Sequence, residues 1–366
     1  MVHLPTPAPS TGHFNTSEVR PRTKYTSSTT RTVAFPPDHY RHAPNIAAGF
    51  TLLDLSSEAD CVRAKVIVDE VSGVRFRVGV DSGSGGGDGG KGKTRGRVDE
   101  REAVIWEAGV TWMESKRGAR ECAMGRFDTA EISTTQSSSP SASVSANSAS
   151  TRAKKPPPQQ EYSKRITFPR PFKQPADVTV WLSRLDLSAT NERNFRIHCY
   201  ASHISTSGFT AHIDTWSDSV MDGAAMDWIA VPRGKKWVAS GGFATGDVRS
   251  WSDPRSRNRG SVKFPGKLFA SASSVASGQG EANGLVKGEK VDGGDVDGSV
   301  NERERERKPR VFCALNMLDM AGNADLRVKV YADEIGGEGF RWHLDSWGDS
   351  TLYAAGASWI ALGFPP

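Results

Sequence analysis

Apolar and polar positions alternate along two stretches in the middle of the chain, VTVWLSRLDL (178–187) and FRIHCYASHIS (195–205). The alternating apolar residues are Val178, Val180 and Leu182, then Phe195, Ile197 and Cys199. A period of two, with many β-branched and aromatic residues, is typical of half-buried β-strands. The pattern therefore predicts strands and not helices.

The same frame of marker residues recurs at the C-terminus. Successive markers are separated by 12, 8 and 12 positions in both copies. They are Arg196, Gly208, Trp216 and Trp228 in the middle copy, and Arg327, Gly339, Trp347 and Trp359 in the C-terminal copy. The conserved spacing predicts that two segments of modest identity share one arrangement of strands and turns.

A third, degenerate copy lies near the N-terminus, where Arg63 is followed 12 positions later by Arg75-Phe76 and then by VTWM (110–113). A Phe also precedes each copy in a similar lead-in segment, at Phe14, Phe127 and Phe243. A repeat of roughly 110 residues exceeds the ~20–50 residues of solenoids and fits a domain with its own core. The repeats predict three tandem domains, at 12–115, 124–232 and 241–366.

Polar, low-complexity tracts interrupt each copy. They are glycine-rich in the first copy (from Asp81), serine- and proline-rich in the second, and longest in the third, at about 272–308. Such segments have little apolar surface to bury, so we expect disordered insertions. Long loops are tolerated because the entropy of loop closure grows slowly with length.

Composition and charge narrow the class of protein only slightly. Gly 37, Pro 20 and a hydrophobic fraction of 37% suit short-stranded β domains, and the net charge of +5 is small for 366 residues. No apolar run approaches the ~20 residues of a membrane span, and the N-terminus lacks the pattern of a secretory signal peptide. We therefore expect a cytoplasmic or unconventionally secreted protein. The four cysteines lack a zinc or redox spacing and are expected to be buried free thiols.

The order Phe-x-x-x-Phe, Pro before Val-x-Val, Leu-Asp, a strand Arg, Gly-Phe, Thr-Trp and Trp-Ile-Ala in 168–230 resembles the H-type lectin domain of the snail agglutinins and discoidins. The resemblance implies an all-β fold of three tandem six-stranded antiparallel β-sandwich domains. Known members are trimers that bind galactose or N-acetylgalactosamine without metal near the contact between protomers. Three copies in one chain predict an intramolecular pseudo-trimer.

The resemblance also implies a sugar site made of a lead-in Asp, the strand Arg, the Trp of the Thr-Trp turn, the next residue, and a Tyr further on. Carried over to the third copy, these positions are Asp253, Arg327, Trp347, Gly348 and Tyr353. In the second copy they are Arg196, Trp216 and Ser217, with Asp222 in the Tyr position and Pro157 in the acidic position. The first copy keeps Arg63, with Lys24 at the acidic position and Trp106 as a loose stand-in for the missing turn. We expect the third copy to bind best and Trp112, Trp228 and Trp359 to lie in the core.

Other chemistries are weaker hypotheses. The Asp pairs of DTWSD and DSWGD lack an enclosed cleft for glycoside hydrolysis, DGGDVDGS lacks the complete calcium-loop pattern, and the histidines at 198, 203 and 212 have no metal-ligand spacing. One basic stretch, 248–263, is insufficient to predict nucleic-acid binding. The sequence favours a lectin with glycan partners, no enzymatic activity and no cofactor. The alternative is a protein-interaction scaffold that has lost its sugar.

Overall fold

The computed structural model describes residues 12–83, 103–132, 160–265 and 308–363, and the predicted insertions lie largely outside these ranges. The described chain is almost entirely β, with six strands in each of the three repeats. The first repeat contains β1 His13–Asn15, β2 Ser28–Ala34, β3 Asn45–Leu55, β4 Cys61–Asp69, β5 Arg75–Asp81 and β6 Ile105–Ser115. The second contains β7 Ala123–Asp128, β8 Glu161–Thr167, β9 Ala176–Ser188, β10 Phe195–Ser202, β11 Gly208–Asp214 and β12 Met221–Pro232. The third contains β13 Val238–Ala244, β14 Arg259–Lys263, β15 Arg310–Met320, β16 Leu326–Asp333, β17 Gly339–Asp345 and β18 Leu352–Leu362. Short 3₁₀ turns occur at Thr16–Glu18, Thr190–Glu192 and Thr245–Asp247.

Each repeat divides its six strands equally between two of three antiparallel sheets. The strand orders are β1-β6-β3-β16-β17-β14, β13-β18-β15-β10-β11-β8 and β2-β5-β4-β9-β12-β7. Every sheet therefore contains three strands from one repeat and three from another. We call the junctions the 1/2 seam (β4 with β9), the 2/3 seam (β10 with β15) and the 3/1 seam (β16 with β3). The three repeats form one closed arrangement held by backbone hydrogen bonds.

Within each repeat, the two half-sheets pack face to face on an aromatic pair. Phe76 meets Trp112 edge-on with ring centroids 5.4 Å apart. The same contact recurs at the equivalent positions of the other repeats, Phe209 with Trp228 at 5.4 Å and Phe340 with Trp359 at 5.2 Å. The three tryptophans are at most 5% exposed. Their prediction as core residues is confirmed.

A second apolar cluster joins the three repeats on the opposite faces of their longest strands. Trp181 is 1% exposed and donates a hydrogen bond from Nε1 to the carbonyl oxygen of Ser358 at 3.0 Å. Gly49 and Ala314 hold the equivalent positions in the other two repeats, and a Cβ added to Gly49 would lie 2.4 Å from the Cβ of Trp181 and 2.9 Å from that of Ala314. One large and two small residues therefore share the centre of the molecule.

This central cluster corrects the prediction that 178–187 is half-buried. The strand β10 alternates between buried and partly exposed residues as expected. In β9, the residues between the predicted apolar positions, Thr179, Trp181 and Ser183, are buried as well. The second face of β9 is covered because it packs against the neighbouring repeats. Alternation in the sequence reflects residue type here and not exposure to solvent.

Candidate functional site

An arginine and an aspartate face each other across every seam. Arg63 is registered with Asp186, Arg196 with Asp319, and Arg327 with Asp54. The shortest nitrogen-to-oxygen distances for these pairs are 2.8, 3.0 and 3.3 Å. The arginine is the strand Arg of one repeat, and the aspartate belongs to the Leu-Asp motif of its neighbour. Each predicted sugar-binding Arg is therefore also part of the contact between repeats.

The 3/1 seam has the largest charged network of the three. Besides Asp54, Arg327 pairs with Asp325 at 2.5 Å and with the exposed Asp349. Asp54 is buried and also accepts a hydrogen bond from Nε of Arg22 at 2.7 Å. Two guanidinium groups thus face three carboxylates. The hydrogen bond from Arg327 holds the pKa of Asp349 below its ordinary value, so this carboxylate stays charged at neutral pH.

Aromatic side chains flank the same network on both sides of the seam. The first repeat contributes Trp106, whose ring lies 5.7 Å from the guanidinium carbon of Arg22 and makes an edge contact with the exposed Tyr25. The third repeat contributes Trp347, which is partly exposed in the turn after β17. The seam therefore combines partly exposed aromatic surface with charged hydrogen-bonding groups.

The turn after Trp347 favours glycine through its backbone conformation and its closeness to Arg327. Gly348 has φ +66°, in the left-handed region that favours glycine. A Cβ at this position would also lie 2.9 Å from Nη1 of Arg327. Ser217 holds the equivalent position of the second repeat with φ +60°. The backbone of this turn thus comes close enough to fix the position of the Arg327 guanidinium.

The 2/3 seam repeats the arrangement with fewer charges. Arg196 donates from Nε to Asp319 at 3.0 Å and also pairs with Asp218, two residues after the partly exposed Trp216. Burial raises the pKa of Asp319 above its ordinary value, against the opposing effect of Arg196. For Asp218 burial is outweighed by hydrogen bonds from Arg196 and from backbone N–H groups, which lower the pKa.

Tyr353 and Asp253 belong with this second seam. Tyr353 lies in a bulge of β18 beside Asp319, in a different sheet from Arg327. The lead-in loop that carries Asp253 is held there by Arg249, which donates to the carbonyl oxygens of Tyr353 at 2.7 Å and Leu352 at 2.8 Å. The carboxylate of Asp253 is exposed and pairs with Arg255 at 2.6 Å. The five positions predicted as one site of the third repeat are thus divided between two seams.

The 1/2 seam has the fewest of the predicted groups. Burial lowers the pKa of Arg63, but its pairing with Asp186 and the smaller effect of the Asp222 charge from the second repeat outweigh burial and raise the pKa. Gly83 holds the position of the turn Trp of the other repeats. The backbone N–H of Ser82 donates to the carbonyl oxygen of Ser27, just as that of Thr215, the residue before Trp216, donates to Gln160. Trp106, expected as a stand-in for that Trp, instead lies at the position of Tyr353. This correction moves Trp106 to the 3/1 seam.

Sequence reasoning missed the partners that come from the neighbouring repeat. Asp54, Asp186 and Asp319 stand at matching points of the Leu-Asp motif, so the repeat pattern contained a signal for them. Spacing within one repeat does not show which neighbour each aspartate meets. Arg22 had no signal of its own, because the equivalent residue of the third repeat is Trp251.

Within the described ranges, no group of three or more His, Cys, Asp or Glu side chains is placed to hold a metal ion. No helix in the part of the chain that the structure describes is both long and apolar enough to cross a membrane.

Comparison with known proteins relates two segments of the chain to a family of lectin domains. The H-type lectin domain matches residues 163–231 and 304–362, in the second and third repeats. The resemblance inferred from the sequence is confirmed for these two segments. The first repeat lies outside them but has the same order of strands. A lectin domain points to a non-catalytic protein.

Individual relatives are more distant or cover less of the chain. Over 72 residues the chain is 35% identical to the ATP synthase subunits region ORF 7 protein of Fuscovulum blasticum, which is 20% of this chain and 61% of that protein. Two structures of discoidin II from Dictyostelium discoideum cover 51% of the chain, and 73% and 72% of theirs, at 11% and 12% identity. Their TM-scores of 0.22 and 0.21 are too low to support an argument, so the fold rests on the strand pairing described above.

Proposed function

We propose that the chain is a non-catalytic lectin that binds galactose, N-acetylgalactosamine or related glycans at the 3/1 and 2/3 seams. The observation that carries this proposal is the recurrence, at both seams, of a partly exposed turn Trp beside a strand Arg fixed by carboxylates. A galactose-type ring has an apolar C–H face that packs on an aromatic side chain. Its hydroxyl groups suit carboxylate acceptors and guanidinium donors.

Each proposed site is a composite of two repeats. The 3/1 seam contains Trp347 and Arg327 of the third repeat and Trp106 and Arg22 of the first. The 2/3 seam contains Trp216 and Arg196 of the second repeat and Tyr353 and the lead-in loop of Asp253 of the third. The 1/2 seam lacks the turn Trp, and we expect it to contribute least.

Substitution of the turn tryptophans tests the proposal on a glycan array. Trp347→Ala removes a stacking surface and should weaken binding by about 0.5–1.5 kcal/mol beyond the lost area, or roughly 2- to 12-fold. Trp216→Ala is the matched variant of the other seam. A single site near ~1 mM corresponds to about −4 kcal/mol, so multivalent display is needed for a strong array signal. Equal binding by wild type and by the double variant, with both proteins folded, would refute the site assignment.

Arg327→Ala is a less selective probe because it also breaks the seam. Asp54 is 1% exposed and would keep only Arg22 as a charged partner. Losing one partner of a buried carboxylate costs about 1–3 kcal/mol of stability. Thermal unfolding must therefore accompany any binding measurement on this variant, and the tryptophan variants remain the primary test.

A protein-interaction scaffold is the second candidate. One observation favours it: Arg327 already faces three carboxylates, which leaves few of its donors for a ligand. Under this alternative the array shows no glycan binding by the folded wild-type protein, and the tryptophan variants behave like wild type.

A further inference from the structure

The outer face of the third repeat carries a concentration of basic side chains away from the seams. On the edge strand β14, Arg259, Ser261 and Lys263 point to the same exposed side. Ser261 is paired with Arg341 of β17. An open surface depression of about 320 Å³ is lined by Arg259, Gly260, Ser261 and Arg341. We call the side chains of Arg259, Ser261, Lys263 and Arg341 the basic face.

The acidic groups near this face do not neutralise it. Arg341 lies 2.6 Å from Glu334, but both side chains are more than one-third exposed, and exposed pairs contribute little. Asp333 lies 3.0 Å from His343, and Asp345 accepts the Tyr331 hydroxyl at 3.2 Å. Arg259 and Lys263 have no acidic partner among the described residues. Two of the three cations of the basic face, Arg259 and Lys263, are therefore outside any ion pair in the described part of the chain.

The fold itself does not require these cations. The strand register places Ser163 and Thr210 of the second repeat at the positions of Arg259 and Arg341. In the first repeat, Arg77 holds the position of Arg341. There it is matched by two hydrogen bonds of 2.6 Å to Asp69. Arg165 holds the position of Ser261 in the second repeat, but the positions of Arg259 and Lys263 are neutral in both other repeats, so the fold does not depend on these two cations and they are available for a ligand.

The geometry suits oxyanions on an extended chain. Guanidinium groups bind sulfate, carboxylate or phosphate oxygens through two parallel hydrogen bonds. Residues two apart on a strand lie about 6.5–7 Å apart, so the cations of β14 form a row along the sheet edge. A linear polyanion could therefore contact several of them at once.

The aromatic residues beside the face favour a saccharide over a nucleic acid. Single-stranded nucleic acids bind such sheets by stacking bases on free aromatic rings. Here the ring of Tyr331 is stacked on His343 at 4.3 Å with an interplanar angle of 1°, and Nζ of Lys329 lies over the Tyr331 ring at 5.2 Å. Tyr331 is 37% exposed, but these contacts engage its ring and compete with the stacking of a base.

We propose that the basic face binds the sulfate groups of an acidic oligosaccharide through Arg259 and Arg341, with Ser261 as an additional hydroxyl donor. The site rests on the proposed lectin function and adds a charged class of glycan to it. It is separate from the turn tryptophans, so the two sites can be tested independently.

The test is the binding of a heparin-derived sulfated tetrasaccharide to the full chain at two salt concentrations. We expect the double variant Arg259→Gln/Arg341→Gln to bind at least about tenfold more weakly than wild type, and binding by wild type to fall as salt rises. Arg77→Gln is the matched control, because that arginine holds the position of Arg341 in the first repeat but has Thr30 and Ala34 in place of Arg259 and Lys263, and it should change binding less than about twofold. Circular dichroism and thermal unfolding confirm that each variant folds.

The outcomes separate the two proposals. Equal binding of the desulfated tetrasaccharide, or unchanged binding by the double variant, would overturn the sulfate site. Tighter binding of a single-stranded oligonucleotide than of the tetrasaccharide would also overturn it, in favour of nucleic acid. The proposed seam sites are tested in parallel with a neutral galactoside and Trp347→Ala. Loss of neutral binding alone leaves the basic face supported, and loss of sulfated binding alone leaves the seams supported.

Discussion

The contact of Trp181 with Gly49 gives a sharp test of how the repeats fit together. Trp181→Ala would open a cavity at the centre of the molecule and leave the carbonyl oxygen of Ser358 without its Nε1 donor. Gly49→Ala would place a methyl group 2.4 Å from the Cβ of Trp181, closer than van der Waals contact allows. The two residues are 132 positions apart in different repeats, and the shared centre alone couples them.

The expected magnitudes follow from the packing. Replacing a buried Trp by Ala costs about 3–5 kcal/mol, and overpacking at Gly49 costs about 1–3 kcal/mol. At about 2–4 °C per kcal/mol, Trp181→Ala should lower the melting temperature by roughly 6–20 °C. Trp181→Ala keeps the Cβ atom that the added methyl group of Gly49→Ala would meet, but it removes the indole ring, including the Cγ atom 3.0 Å from the new Cβ. The cavity left by the ring lets the remaining small side chains move apart, so we expect Gly49→Ala to cost less there than in wild type.

A double-mutant cycle measured by chemical denaturation tests this coupling. The free energies of unfolding of wild type, both single variants and the double variant should give an interaction energy of at least about 1 kcal/mol. Gly49→Ala would cost the same in both backgrounds if the repeats folded as independent units. That additive result would refute the shared centre.

Three further predictions concern titration, thiols and the core. Burial lowers the pKa of His13 and His198 below the ordinary value of 6.5. Their contribution to stability is therefore present above pH 6.5 and is lost as the pH falls towards the folded-state pKa. The melting temperature should drop between pH 7.5 and 5.5, and should drop less in His198→Gln. Cys61 should react with a thiol reagent in the native protein, whereas the buried thiols should react only on unfolding, since burial raises the pKa of Cys122 to about 11, that of Cys313 to about 12, and that of Cys199 as well. Trp359→Ala should cost about 3–5 kcal/mol of stability and lower the melting temperature of the whole protein in one transition, as followed by circular dichroism.

The sequence was sufficient to predict the all-β class of the fold and the equivalent positions of the three repeats. Strand residues such as Phe195 and Ile197 alternate with polar ones, and core tryptophans such as Trp359 recur at fixed intervals from the strand Arg. Both signals are local, because they depend on side-chain periodicity within one strand or one repeat. Local signals are therefore preserved in a single sequence even when identity between copies is modest.

Contacts between repeats could not be predicted in the same way. The pairing of Arg327 with Asp54 spans 273 positions (327 minus 54). The sequence contains three equivalent strand arginines and does not show which of them pairs with a given aspartate. The choice is decided by which half-sheets join, and that depends on the packing of the whole molecule. The same reason explains why the sequence groups Tyr353 with Arg327 in one site, whereas the structure places Tyr353 beside Asp319 at the 2/3 seam. A composite site is divided between copies that look self-contained in the sequence.

The most direct test of the account is the number of neutral-glycan sites per chain. A fluorine-labelled galactoside can be titrated by NMR against wild type, Trp216→Ala, Trp347→Ala and the double variant, with each protein shown to be folded. We expect two weak sites in wild type, one in each single variant and none in the double variant. Binding that is unchanged in the double variant would contradict the assignment of glycan binding to the seams.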